Sequence, residues 1–341
     1  MIWCISKYAL PPKYGAQARL FHISEELNKI GKQSIVICSA TNHLAKLPEQ
    51  TADFRIEDIG STKAIFIKGL KFATSLSKNR VASWFYFEWL LFRFIRKEYT
   101  NYTSAPSVVM VSSLSLMTIL NGYYAKRKFK AKLIFEVRDI WPLSAILVAG
   151  YSKWHPFILF LRWIEKFGYR NSDIIVSPLS NLKQHIAESI GRRKFTFQHL
   201  PHGFDKSLLN GGQALPKEFI DTYIPKGKFI FGYIGNIVSA YDLDSLIDCA
   251  AQLHQESTHI HFLILGDGDY KSNLIKKAEG LTNITFIPRI PKMQITHFLS
   301  FCQVATNFLR PEPLFEYGVS PQKLVDYMLA GKPILMAYTG Y

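Results

Sequence analysis

Apolar residues in the first two hundred positions fall into short β-rich runs, separated by stretches where they recur every three or four residues. The runs predict strands at 2–6, 34–38, 64–67, 107–111, 132–137 and 173–177. The intervening periodicity predicts helices at 17–30, 81–99, 116–128, 156–169 and 181–190. Pro201-His202-Gly203-Phe204-Asp205 breaks the pattern, and a turn-rich segment follows with Asn210-Gly211-Gly212, Pro216 and Pro225. The alternation then resumes, with strands at 229–233, 261–265, 284–287, 304–307 and 333–336 and helices at 243–253, 271–278 and 321–329. Strands alternating with helices argue for parallel sheets. The expected architecture is α/β: a Rossmann-like domain over 1–200, a connection over 201–226 and a second Rossmann-like domain over 227–341. Two such domains facing across a cleft place ligands at their strand C-termini.

A length of 341 residues suits two domains, and 48% apolar residues suffice for their cores. Cys4, Cys38, Cys249 and Cys302 lack paired or zinc-ligand spacing and read as core residues of a reducing compartment. The N-terminus MIWCISKYALPP has no secretory pattern, and the most apolar stretch, 84–95, is interrupted by Glu88 and Arg93. The expected location is cytoplasmic, with a peripheral position on the inner face of the plasma membrane suggested by charge. Residues 1–200 hold 29 Lys+Arg against 13 Asp+Glu, a net +16, whereas 201–341 hold 12 against 13, a net −1. A basic half calls for an anionic partner. Trp84, Phe85, Phe87, Trp89, Phe92 and Phe94, mixed with Arg80, Arg93, Arg96 and Lys97, resemble a segment that lies in a membrane interface. Core packing of the same rings is the competing reading.

The most informative motif is GVSPQKLVDYMLAGKP, from Gly318 to Pro333. Ser320 fits an N-cap and Pro321 the first helical position, so the helix start exposes N–H groups to an anion. Lys323 in the first turn opposes the helix dipole, which a bound diphosphate would explain. Gln322 and Asp326 share a face, and from there Asp326 could reach ribose hydroxyls. Two strand ends, Gly235-Asn236 and Gly266-Asp267-Gly268, offer backbone approaches to a diphosphate, and each is equally an ordinary turn. Arg289 and Arg310 complete the candidate donor-binding set. In the first half, Gly15 at a strand mouth and Arg19 one turn into the following helix are the candidate acceptor-binding residues. Arg138 and Asp139 in FEVRDIWP end an apolar strand; with Lys323 they are the candidate catalytic residues, a structural Arg–Asp pair being the alternative.

Together PPKYGAQARLFHISEEL, RDIWP, PHGFD, YIGN, LGDGD and GVSPQKLVDYMLAGKP resemble glycosyltransferase family 4, retaining enzymes of GT-B fold, over nearly the whole chain. The pattern looks closest to bacterial O-antigen and exopolysaccharide sugar transferases. The resemblance implies sugar transfer from a nucleotide-diphosphate donor, a UDP-sugar favoured, with retention and without a metal or other cofactor. The acceptor is a saccharide, lipid-linked in keeping with the basic, aromatic first half, and the donor sits in the second half. Asp326 matches the second acid of the family's E-x7-E motif, which binds the donor ribose, and Gly318 stands where the first acid normally lies. Asn236 and Tyr241 lie near where many members carry Arg and Lys for the diphosphate, leaving Lys323, Ser320 and Arg310 to hold the charge. The chain ends eight residues past Pro333, where members normally continue, so the second domain is expected to be incomplete. Three other readings stay open: a sugar-nucleotide 2-epimerase of the same fold, an inactive truncated transferase, and a basic nucleic-acid-binding protein. No RNP, zinc or helix-turn-helix pattern supports the last. Asp242-Leu243-Asp244 has the letters of an acidic metal motif but sits at a helix start, where Asp is favoured in any case.

Overall fold

The computed structural model describes residues 1–14, 18–42, 47–70, 78–147, 150–204, 212–256 and 259–338. It divides into two compact units, Met1–Pro201 with Glu316–Gly318, and His202–Phe315 with the segment from Val319 onward.

The first unit holds an eight-stranded sheet of β1 (Ile2–Ile5), β2 (Ser34–Ser39), β3 (Phe54–Ile59), β4 (Thr62–Ile67), β5 (Val108–Ser112), β6 (Lys132–Glu136), β7 (Ile174–Ser177) and β8 (Phe197–His199). Its order is β3-β4-β2-β1-β5-β6-β7-β8, parallel except for the β3–β4 hairpin. The helices are α1 (Arg19–Lys29), α2 (Lys78–Arg93), α3 (Thr118–Phe129), α4 (Leu143–Leu147), α5 (Pro156–Asn171) and α6 (Leu182–Ile190). The central strands are apolar at successive positions because helices cover both faces; β2 is buried along its whole length. Strand order reverses at β1, which pairs with β2 on one side and β5 on the other. α1, between β1 and β2, therefore covers one face, and the right-handed crossovers through α2, α3 and α5 cover the other.

The periodicity reading overlooked β3. Its alternation, FRIEDI, is that of a half-buried edge strand, and Gly60 at φ +58 closes the two-residue hairpin into β4.

The second unit is a five-stranded, wholly parallel sheet of β9 (Phe229–Asn236), β10 (Ile260–Asp267), β11 (Ile284–Ile287), β12 (Val304–Phe308) and β13 (Ile334–Ala337), in the order β11-β10-β9-β12-β13. Around it lie α7 (Lys217–Tyr223), α8 (Leu243–Glu256), α9 (Lys271–Lys277), α10 (Ile295–Ser300) and α11 (Gln322–Leu329). The expected 201–226 connection is partly structural. Leu215, Phe219, Ile220 and Tyr223 pack into the core on one side of the sheet, with Ile230, Phe298 and Tyr327.

Candidate functional site

The C-terminal edge of the second sheet gathers most of the donor-site candidates. Gly235 and Gly266 are register partners on β9 and β10, with φ of +136° and +152°. A Cβ on Gly266 would stand 1.8 Å from the Gly235 carbonyl oxygen, and one on Gly268 would stand 2.0 Å from that of Ile237. These two glycines thus serve the close packing of one strand turn on another, which is the ordinary-turn reading of these positions. Gly235 differs: a Cβ there would crowd Cε and Nζ of Lys323 at 3.1 Å each. Its missing side chain makes room for that ammonium.

Lys323 occupies the first turn of α11, as expected, but points inward and is only 8% exposed. Its Nζ donates to the Tyr233 hydroxyl at 2.8 Å and lies 4.0 Å from the ring centroids of both Tyr233 and Tyr241. Tyr233 in turn donates to the Asn236 carbonyl at 2.7 Å, which fixes the end of β9. Burial pushes the Lys323 ammonium down to about 7. No carboxylate pairs with it among the described residues, so ring faces and one hydroxyl alone stabilise the charge. Lys323 and Asp326 therefore do not form a solvated surface ion pair. The twin tyrosine cradle escaped the sequence reading, because Tyr233 and Tyr241 come from a strand and a loop some 90 residues before α11.

Asp326, one turn further on, is mostly buried and forms a short ion pair with Lys292. Burial raises its carboxyl and Lys292 opposes that. The helix starts one residue later than expected: Pro321 is the N-cap and α11 begins at Gln322, so Ser320 stands before the cap. Ser320 and Gln322 are half-buried beside this start. Arg289 Nη2 donates to Asn236 Oδ1 at 2.9 Å, which joins two candidates in one contact. Arg310 is drawn away instead, to Asp244 at 3.1 Å in the first turn of α8. Asp244 also accepts from Tyr270, and Asp242 accepts from Ser245 at 2.7 Å. These two acids are therefore helix-start and packing groups. Asp267 is exposed and accepts from the Gly268 N–H at 2.9 Å. Lys271, which the motifs did not flag, holds the edge together by donating to the Gly266 carbonyl at 2.9 Å.

In the first unit, Arg138 and Asp139 follow β6. Ser113 organises that corner: its Oγ accepts from both backbone N–H groups, at 2.9 and 3.2 Å, and donates to the Asp139 carbonyl at 3.1 Å. Asp139 is exposed and Arg138 half-buried, with burial lowering the guanidinium and Glu136 opposing the shift. Arg19 does not face solvent as an acceptor ligand would. Its Nε pairs with the fully buried Glu136 at 2.7 Å, and Nη1 and Nη2 donate to the carbonyls of Pro201 and Leu200 at 2.9 and 2.8 Å. It is a buried strut tying α1 to β6 and to the end of the unit. Gly15 lies outside the described residues. Of the six rings read as interfacial, Phe87 and Phe94 are fully buried, and Trp84 is half-buried with its indole N–H on the Tyr8 hydroxyl. Phe85, Trp89 and Phe92 are exposed.

Comparison with known proteins bears on the second unit most directly. Residues 228–340 match the family model of the glycosyl transferases group 1. No curated protein matches the chain in sequence. Among solved structures, the Anabaena protein HepE in complex with UDP-glucose superposes with a TM-score of 0.63 at 15% identity, covering 99% of this chain and 80% of that one. WaaG, a glycosyltransferase involved in lipopolysaccharide biosynthesis, gives 0.64 at 12% identity, covering 100% and 82%. The catalytic domain of starch synthase IV from Arabidopsis thaliana, bound to ADP and acarbose, gives 0.67 at 10% identity, covering 98% and 82%. Residues 228–340 thus match a glycosyl transferases group 1 domain, in a chain whose two sheets have the GT-B fold.

Proposed function

We propose that this chain transfers a sugar from a nucleotide-diphosphate sugar, UDP-linked by preference, to a lipid-linked saccharide with retention of configuration, in cell-surface polysaccharide synthesis of the O-antigen kind. The observation that carries the reading is Lys323: a buried ammonium with no carboxylate partner among the described residues, beneath the β9 turn and in the first turn of α11. Such a cation gains from an anion brought close, and the helix start adds N–H donors of the same polarity. As the glycosidic bond breaks, charge grows on the leaving phosphate, and preorganised donors stabilise that change most. Asp326 would take the ribose hydroxyls, exchanging part of its contact with Lys292. Asn236 and Arg289 would flank the diphosphate as a joined pair. Arg138 and Asp139, fixed by Ser113, would orient the acceptor. The donor phosphate itself can receive the acceptor proton. Among the chain's structural relatives, HepE is complexed with UDP-glucose and WaaG takes part in lipopolysaccharide biosynthesis, which is the chemical class of this reading.

Calorimetric titration of the full chain with UDP, GDP and UDP-sugars tests it. Micromolar binding of UDP is expected, weakened about ten- to a hundred-fold by Lys323→Met, as for loss of a charge-assisted contact of about 1.5–3 kcal/mol. Asp326→Asn should weaken UDP yet leave pyrophosphate affinity unchanged. Parent-like UDP affinity in both variants would remove this edge from the donor site.

A further inference from the structure

The first unit carries a surface apart from the candidate residues Arg19, Arg138 and Asp139. α2, α3 and α5 form one helical layer, joined by a line of rings. Phe92 on α2 meets Tyr124 on α3 at 4.9 Å between centroids, and Tyr123 meets Phe167 on α5 at 5.0 Å. Phe167 continues to Trp163 at 5.8 Å, and Trp163 stacks on Phe160 at 6.3 Å. The outer side of this line is not covered. Phe85, Trp89 and Phe92 follow the i, i+4, i+7 spacing along α2, and Leu159, Phe160 and Trp163 share one side of α5; all six are exposed. Trp89 and Trp163 show 56% and 55% of their surface, and Trp154, just before α5, shows 70%. Large apolar side chains exposed singly are ordinary, but a set shared by neighbouring helices is not.

The charges on the same helices are one-sided. The only acidic residues within α2, α3 and α5 are Glu88 and Glu165, and both are buried, at 8% and 3%. Glu88 accepts from Thr118, Ser115 and Asn121, and Glu165 from Tyr169, with His185 against it at 2.7 Å. Burial lifts Glu88 to about 7, so its carboxylate adds little negative field outside. The exposed or half-exposed ionic groups of these helices are cations, among them Arg127, Arg162, Lys166 and Arg170, and Arg96 and Lys97 follow directly after α2. A helix dipole favours cations in a last turn and so explains Arg170. It does not explain Arg162 in mid-helix, nor the burial of both acids within these three helices. At the end of α2 a shallow cavity of about 430 Å³ sets the rings of Trp89 and Phe92 beside Arg93, Arg96 and Lys97, with Glu98 the one acid in its lining.

We propose that the α2–α3–α5 face lies on an anionic lipid bilayer, its rings entering the headgroup boundary and its cations meeting lipid phosphates. Leu159 and the Phe rings offer no hydrogen bond to a base edge or a peptide strand. Indole and phenyl groups with adjacent Lys and Arg are the composition that a bilayer interface rewards. Each cation near an anionic leaflet adds further attraction that salt screens. No helix among the described residues is long and apolar enough to cross a membrane, so the contact is with the surface. The inference does not rest on the donor-site reading.

Co-sedimentation of the full chain with phosphatidylcholine vesicles, with and without phosphatidylglycerol, tests it. Pelleting should require phosphatidylglycerol and weaken as salt rises from about 0.1 to about 0.5 M. The double substitution Trp89→Ser, Trp163→Ser should lower partitioning at least about tenfold, leaving melting and UDP titration at parent values. Arg162→Glu with Lys166→Glu should remove the preference for the anionic lipid. Failure to pellet with anionic vesicles, or equal pelleting with neutral ones, would overturn the proposal. So would unchanged partitioning of the tryptophan double variant, or a lipid-free dimer or an oligonucleotide complex lost in that variant, which would reassign the face. UDP titration alongside reports on the donor site separately, so the two readings fail independently.

Discussion

Lys323 sets the cost of a buried charge against the diphosphate contact proposed for it. Its folded pKa of about 7 lies below the ordinary 10.5, so between these values the unfolded chain binds more protons than the folded one. Stability therefore rises with pH across that window, and the full cost of burying the charge is present below about pH 7. Lys323→Met keeps the volume and removes the charge. It should raise the melting temperature at pH 6.5, by about 2 kcal/mol of stability or more, and the gain should shrink towards pH 10. Binding runs the other way. A diphosphate favours the ammonium, so UDP affinity of the parent should fall by up to about tenfold per pH unit above 7, and the Lys323→Met variant should lose that slope. A flat profile in the parent would detach this lysine from the phosphate. Arg19 is the opposite case, since Glu136 and two carbonyls already satisfy it. Arg19→Met leaves a fully buried carboxylate unpaired, and denaturant unfolding should show a loss of about 3–5 kcal/mol.

Among the elements, the paired ends of β9 and β10 carry the sharpest steric demand. Gly266 combines φ +152° with a neighbouring carbonyl 1.8 Å from where its Cβ would sit, and that neighbour is backbone. Gly266→Ala should cost at least about 3 kcal/mol by separating the strand turns, and UDP affinity should fall with it because Gly235 moves too. Gly280, also at positive φ (+85) but with open space around it, provides the control. Gly280→Ala should cost about 1 kcal/mol from backbone strain alone and leave UDP affinity unchanged. If the two variants melt alike, steric closure at β9–β10 is not what holds that edge. α11 contributes through its position. Tyr327 donates to the Thr306 carbonyl at 2.9 Å and accepts from the Ile234 N–H at 3.1 Å, which anchors the helix to β12 and β9 and so sets where Lys323 enters.

For the whole molecule, charge and family likeness divide along the chain. The first two hundred residues hold a net +16 and the remainder −1, and the second unit is the one matched to a glycosyl transferase model. The proposed donor chemistry uses an ammonium and helix N–H groups in place of a cation bound through carboxylates. Turnover of a UDP-sugar is accordingly expected to be indifferent to EDTA, and a loss that magnesium restores would contradict the assignment of Lys323 as the phosphate-stabilising group.

The alternation of the main strands and helices, without β3, β8, α4, α7 and α10, and the placement of Gly235, Gly266 and Lys323 at a parallel sheet's C-terminal edge were legible in the sequence. They depend on local periodicity and turn chemistry, which neighbouring residues determine. What the sequence could not decide is where each polar group spends its charge. Lys323 reads as a first-turn surface lysine until Tyr233 and Tyr241 arrive from another part of the chain. Arg310 and Arg289 look equivalent beside their strands, yet Asp244 takes one and Asn236 the other. Arg19 looks like a ligand until Glu136, 117 residues away, claims it. The same limit applied to the rings: their spacing alone could not show which were core, and it is Trp3 of β1 and Phe54 of β3 that close over Phe94 while Trp89 stays exposed. Burial and pairing are sums over segments remote in sequence, so they exist only once the tertiary structure has brought those segments together.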